Sequence, residues 1–296
     1  MLSIIIGGLS VRTVEYCSLH QLSAKEDWQH SFDYFSTEHF LPLHGEVYIT
    51  FSLLRKEFSC QTDKIIFFNR RSFFLKTSDS TFQLLHFTED GNSLLWCLDI
   101  DAEFSSFNYK LSQKATSVDS ELYELVFNRF LLQHTFINHH GLIIHAAGGS
   151  INGKGMVFPA VSGTGKSTLS HLLLPHPENQ LFSEERIIMR RLDDSWHLWG
   201  TPWKGSGVIA RNESAPLSAL VFLSQAQETK ISKLPPSAAL RRLLETVSIP
   251  WYSQEWTDKG LAVCESLLRA IPAYELAFRP DQTAVQAVAE LAASLD

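Results

Sequence analysis

The stretch from Ala160 to Ser167, A-V-S-G-T-G-K-S, matches the phosphate-binding pattern G-x-x-x-x-G-K-[ST] except at its first position, where Ala stands for Gly. Each fixed residue answers a physical need. Gly163 and Gly165 let the backbone curl until successive N–H groups converge on an anion, and a helix beginning just after them adds its positive end. Lys166 would neutralise the β- and γ-phosphates of a nucleotide, and Ser167 would ligate Mg²⁺. The whole cradle would comprise Ala160, Ser162, Gly163, Thr164, Gly165, Lys166, Ser167 and Thr168. A plain Gly-Ser-Thr turn ahead of a helix has no use for a lysine at that one place.

Phosphate chemistry also needs a carboxylate to hold the metal and to orient or deprotonate an acceptor hydroxyl. Glu184 and Glu185, in "LFSEERIIMRR", are the first candidates, and the same pair also reads as a solvated turn. Asp193-Asp194, between two apolar runs, reads more simply as a turn. His139, His140 and His145 lack zinc spacing: the first two end a helix, where a protonated imidazole complements the dipole. His145 falls on a strand, as either a packed core residue or one that faces the site. Residues 200–207, "GTPWKGSG", form a loop that either faces a ligand or anchors itself through Trp203.

Strand, loop and helix must follow in order for the cradle to work. "GMVFP" feeds the loop as an apolar strand, and "STLSHLLL" follows as a helix ended by Pro175 and Pro177. Asn152-Gly153 joins "GLIIHAAGGSI" to "KGMVFPAV" as a tight hairpin. Ahead of it, residues 119–137 place Leu122, Leu125, Val126, Phe130 and Leu132 near one helical face. Downstream, "RIIMRR", "SWHLWGT", "SALVFL" and "TKISKL" predict strands and "PSAALRRLLETV" a helix; the chain then closes with helix, strand and a final helix starting at Pro280. The first 113 residues predict an antiparallel sheet of short aromatic strands, with residues 1–16 as its first strand and a hairpin turn at Asp90-Gly91. Their many Phe residues serve as core or line a partner groove.

With 45% apolar and 19% charged residues the chain has the composition of a folded globular protein. A net charge of -7 argues against nonspecific nucleic-acid binding. Cys17, Cys60, Cys97 and Cys264 are scattered without ligand spacing and read as free thiols in a reducing compartment. The apolar N-terminal run is too short for a membrane span, so the expected setting is cytoplasmic.

The ordered set "HHGLIIHAAGGSINGKGMVFPAVSGTGKSTLSHLLL", "LFSEERIIMRR", "WGTPWKGSG", "APLSALVFL" and "IPAYELAFRPD", over roughly residues 136–282, resembles the HPr serine kinase/phosphorylase-like proteins. These belong to the wider phosphoenolpyruvate-carboxykinase-like group of P-loop kinases. The resemblance implies an α/β chain, α+β overall, with a β-rich domain at 1–115 and a kinase-like domain at 116–296 whose mixed sheet is flanked by helices. It implies a Mg²⁺- and ATP-dependent phosphotransferase acting on a serine-type hydroxyl of a small molecule, peptide or protein. Lys166, Glu184, Glu185 and His145 would be catalytic, with Ser167 and Glu184 on the metal. Glu184 stands where the family commonly has Asp, and the extra sequence that grips HPr has no counterpart here, so HPr itself is not the expected acceptor. The rival reading is an ATP-binding regulatory module that transfers nothing. A carboxykinase acting on oxaloacetate needs more basic and metal-binding residues than this chain offers. No nucleic-acid or membrane partner is expected, and a homo-oligomer is left open.

Overall fold

The computed structural model describes residues 2–6, 9–15, 46–53, 64–68, 71–77, 81–111, 131–203 and 209–295. They form a mixed α/β chain of two compact units: Met1–Asn138 with Pro250–Glu255, and His139–Ile249 with Trp256–Asp296. The boundary expected at 115/116 and the first part of the helix expected at 119–137 lie outside the described residues. Among the described residues no helix is long and apolar enough to cross a membrane.

The first unit holds β1 (Leu2–Ile6), β2 (Leu9–Glu15), β3 (Glu46–Leu53), β4 (Lys64–Phe68), β5 (Ser72–Lys76), β6 (Phe82–Phe87), β7 (Leu94–Ile100), β8 (Ser106–Leu111) and helix α1 (Leu131–Asn138). Its 8-stranded sheet runs β1-β2-β3-β8-β7-β6-β5-β4. The expected antiparallel sheet is corrected to a mixed one, because β3 pairs parallel with both β2 and β8. Residues 1–16 are likewise corrected from one strand to two, β1 and β2, which pair antiparallel. Asp90-Gly91 does turn the β6–β7 hairpin, with Gly91 at φ 71°. The aromatic residues here are core: Phe74, Phe82, Phe104 and Phe107 are buried, and His134 of α1 stacks on Phe104 at 4.4 Å. Cys97 is buried, and its thiol donates to Asp99 Oδ1 at 3.7 Å.

The second unit holds β9 (Gly141–Ile151), β10 (Lys154–Pro159), α2 (Lys166–Leu173), β11 (Asn179–Ser183), β12 (Arg186–Leu192), β13 (Ser195–Trp199), β14 (Ser214–Gln225), β15 (Lys230–Lys233), α3 (Pro236–Leu244), β16 (Ala273–Phe278) and α5 (Gln282–Ser294); α4 (Gln254–Ala270) enters it at Trp256. Asn152 and Gly153, at φ 48° and 79°, make the tight turn that folds β10 back on β9. Asp193, at φ 49°, turns β12 into β13. β10 also pairs parallel with β14, and β14 pairs parallel with β16, so three strands end on one edge. The pairings β9–β12, β12–β13, β13–β14, β14–β10 and β10–β9 close on themselves.

Met156, Phe158, Leu169, Val221, Leu276 and Val288 meet in one buried cluster that joins β10, β14 and β16 to α2 and α5. Each such side chain contributes about 1.5–3 kcal/mol on burial, enough to hold the strand–loop–helix segment to its neighbours. The final helix begins at Gln282, two residues later than expected, because the Asp281 carboxylate accepts the Thr283 N–H and caps it. Burial among apolar neighbours pushes the free Cys264 thiol up to about 12.

Candidate functional site

Residues 160–165 leave the buried end of β10 and turn outward before α2 begins. Ala160 is still buried, and its N–H donates to the His145 carbonyl at 3.2 Å, continuing the β9–β10 ladder by one rung. Val161, Ser162 and Gly163 are exposed. The Thr164 hydroxyl donates to the Val161 carbonyl at 2.8 Å, which closes the turn on itself. Gly163 and Gly165 adopt φ of 84° and 103°, a left-handed backbone that disfavours any residue with a β-carbon. Gly165 is the residue at the N-terminal cap of α2; no side chain caps the helix there, and its first turn carries no acidic residue. The leading N–H groups of α2 therefore face no competing side-chain acceptor at the cap.

Lys166 opens the helix and is only 9% exposed. Its ammonium donates to the Glu184 carbonyl and lies 3.4 Å from Glu185 Oε2. Glu185 Oε1 in turn lies 3.5 Å from His145 Nε2. One carboxylate thus stands between the lysine of the glycine loop and the histidine of β9. Glu184 and Glu185 fill the turn between β11 and β12, and the Ser183 hydroxyl accepts the N–H groups of Glu185 and Arg186 at 3.3 Å each. Arg186 is the register partner of His145 across β12 and β9, so both side chains project from one face. Thr201, fully buried, donates its hydroxyl to the Arg186 carbonyl at 2.8 Å, which brings the start of the 200–207 loop to this edge; residues 204–207 lie outside the described residues.

Glu184 is 5% exposed; its backbone carbonyl accepts from Lys166, and its carboxylate charge also acts on that ammonium. Ser167 and Thr168 are exposed on the first turn of α2.

Burial pulls the Lys166 ammonium below its ordinary range, partly offset by Glu185. Burial also lowers His145, and the Lys166 charge lowers it further, so the neutral imidazole is favoured. For Glu185, burial alone would raise the carboxyl; Lys166, His145 and Arg186 together outweigh it and hold the group below the usual value.

The glycine loop, Lys166, Glu184, Glu185 and His145 thus sit on one edge. His139 and His140 lie at the opposite end of β9 from its pairing with β10 and do not join them. Asp193 and Asp194 are an exposed turn. Three contributors escaped the sequence reading. Gln225, at the end of β14, donates its amide to the Gly163 carbonyl at 2.8 Å. Phe278, at the end of β16, packs against Gly165. Arg186 adds positive charge next to His145 and Glu185. Only Arg186 carried a local signal, being the residue after the acidic pair.

Fold and site together define a mixed α/β protein whose strand–glycine-loop–helix segment faces an acidic turn. The model of the SynChlorMet cassette protein ScmC family matches residues 113–279, more than half of the chain, and the chain belongs to that family. No curated protein matches it.

Proposed function

We propose that this protein is a Mg²⁺- and ATP-dependent phosphotransferase of the HPr-kinase-like type, acting in the cytoplasm on a hydroxyl-bearing acceptor. The second unit is then a phosphoenolpyruvate-carboxykinase-like P-loop domain. One observation carries this reading: Glu185 stands between Lys166 and His145 at the mouth of an uncapped glycine loop. A lysine ammonium has three donors, and two of those on Lys166 are engaged by Glu184 and Glu185. The third is left for a phosphate oxygen, while the loop from Ala160 to Thr168 cradles the phosphate chain through its N–H groups.

The donor set suits a hard divalent cation, because Glu184 offers a carboxylate oxygen on the turn that meets Lys166 and Ser167 offers a hydroxyl one residue past it. When bound, Mg²⁺ supplies charge neutralisation at the phosphates. In the reaction the acceptor oxygen forms a bond to the γ-phosphorus and the bond from that phosphorus to the β–γ bridging oxygen breaks. ADP leaves, and the acceptor proton passes to the Glu185 carboxylate, which His145 and Lys166 hold in place.

A second reading, a nucleotide-binding module that transfers nothing, is favoured by the contacts that already hold the Lys166 ammonium inside the protein. Incubation with γ-labelled ATP, Mg²⁺ and free serine, then with serine-containing peptides, separates the two. Label on an acceptor, lost in Glu185→Gln, supports transfer; ATP bound but never consumed supports the module. The family's name, a cassette protein, directs the choice of peptides to products of the same cassette.

A further inference from the structure

Two glycines of the loop adopt left-handed backbone, and each meets a residue from the edge of the neighbouring parallel strands. The Gln225 amide donates to the Gly163 carbonyl at 2.8 Å. A β-carbon at Gly165 would lie 2.8 Å from the Phe278 ring. Gln225 and Phe278 are themselves register partners across β14 and β16. One rung of the sheet therefore braces both bends of the loop.

The brace matters for what the loop can hold. A nest of N–H groups attracts an anion only while the carbonyls between them stay turned away, because an inward carbonyl oxygen repels a phosphate. At Gly163 nothing local forces that orientation: it is exposed, and a β-carbon there would meet nothing within 4 Å. The Gln225 amide is the contact that draws this carbonyl toward β14. The Thr164 hydroxyl acts on a different carbonyl, that of Val161.

We infer that Gln225 is a positioning residue for the phosphate chain, holding the Gly163 carbonyl out of the cradle so that the loop stays preformed for a nucleoside triphosphate. This rests on the nucleotide-binding reading above. It adds to that reading a residue some sixty positions away in the chain, which touches no phosphate itself.

The test uses the full chain and its Gln225→Met and Gln225→Glu variants, with ATP titration in Mg²⁺, thermal melting, and amide hydrogen exchange over residues 160–168 without nucleotide. Loss of one neutral hydrogen bond predicts that Gln225→Met binds ATP about fivefold more weakly. Gln225→Glu, which sets a carboxylate against the carbonyl and beside the phosphates, weakens it further. Exchange in the loop speeds up in both, while the melting temperature moves by less than about 2 °C, since the side chain is exposed. Both variants binding within about twofold of the wild type overturn the inference. So does weakened binding that only follows a general loss of stability. If the wild type binds and the variants match it, the Gln225 role alone falls. If the wild type does not bind ATP, the nucleotide reading falls and this inference with it.

Discussion

Gly165 rests against the ring of Phe278, so closely that a β-carbon on the glycine would lie 2.8 Å from the ring's Cζ. The same glycine has φ 103°, where a side chain is strained whatever the space. Gly165→Ala is therefore expected to cost about 2 kcal/mol or more in urea unfolding. Adding Phe278→Leu should recover part of that loss, a coupling of about 0.5–1 kcal/mol in a double-mutant cycle. An unchanged urea midpoint for Gly165→Ala would mean the ring imposes no constraint.

Glu185 occupies the position between Lys166 and His145, where the proposed base for the acceptor proton would stand. Glu185→Gln keeps the shape and removes the proton acceptor, so transfer should slow by about 10²–10⁴-fold. ATP affinity should change far less, because the side chain is not part of the cradle. Single-turnover kinetics beside equilibrium titration distinguishes the two effects; transfer at the wild-type rate would remove Glu185 from the chemistry.

Glu184 tests the metal. Lys166 donates to its backbone carbonyl, so Glu184→Gln keeps that hydrogen bond and removes only the carboxylate charge. The expected loss is confined to Mg²⁺: ATP binding in Mg²⁺ weakens about tenfold, and binding without metal is unaltered. Equal loss with and without Mg²⁺ would assign Glu184 to the fold instead.

The pH dependence of stability has a defined sign. Burial first, and neighbouring cations at His139 and His145, lower those two imidazoles, and burial lowers His197, all from the ordinary histidine value of 6.5. The unfolded chain then binds more protons below about pH 6.5, so stability falls as pH drops through that window and is level above it. Glu185, held below the usual carboxylate value, adds a separate loss at more acid pH, as pH falls through its folded value. Melting temperatures from pH 8 to 5 should decline below about 6.5 and decline less in His145→Gln. A flat profile would contradict the burial of these rings in neutral form.

The arrangement of the candidate site was legible in the sequence wherever neighbours in space are neighbours in the chain. Asn152-Gly153 marked the β9–β10 turn, and the spacing from Ala160 to Ser167 marked the glycine loop and the start of α2. Glu184 and Glu185 could be singled out, but not that one meets Lys166 through its backbone carbonyl and the other through its carboxylate. That division depends on where the β11–β12 turn meets Lys166. Gln225 and Phe278 were illegible because only the parallel register of β10, β14 and β16 brings them to the loop. β11 went unread as well, being a short strand whose partner, β9, lies some thirty residues earlier. The front sheet failed for a related reason: alternation in β2, β3 and β8 marks strands but carries no record of direction, so their parallel pairing was invisible.

The central claim is that residues 160–168 hold the phosphates of ATP through Lys166. A Mg²⁺-dependent ATP titration of the wild type beside Lys166→Ala, with circular dichroism on both, tests it most directly. The account predicts saturable binding by the wild type, none by the variant over the same range, and superimposable spectra. Binding of equal strength by both folded proteins, or by neither, would contradict it.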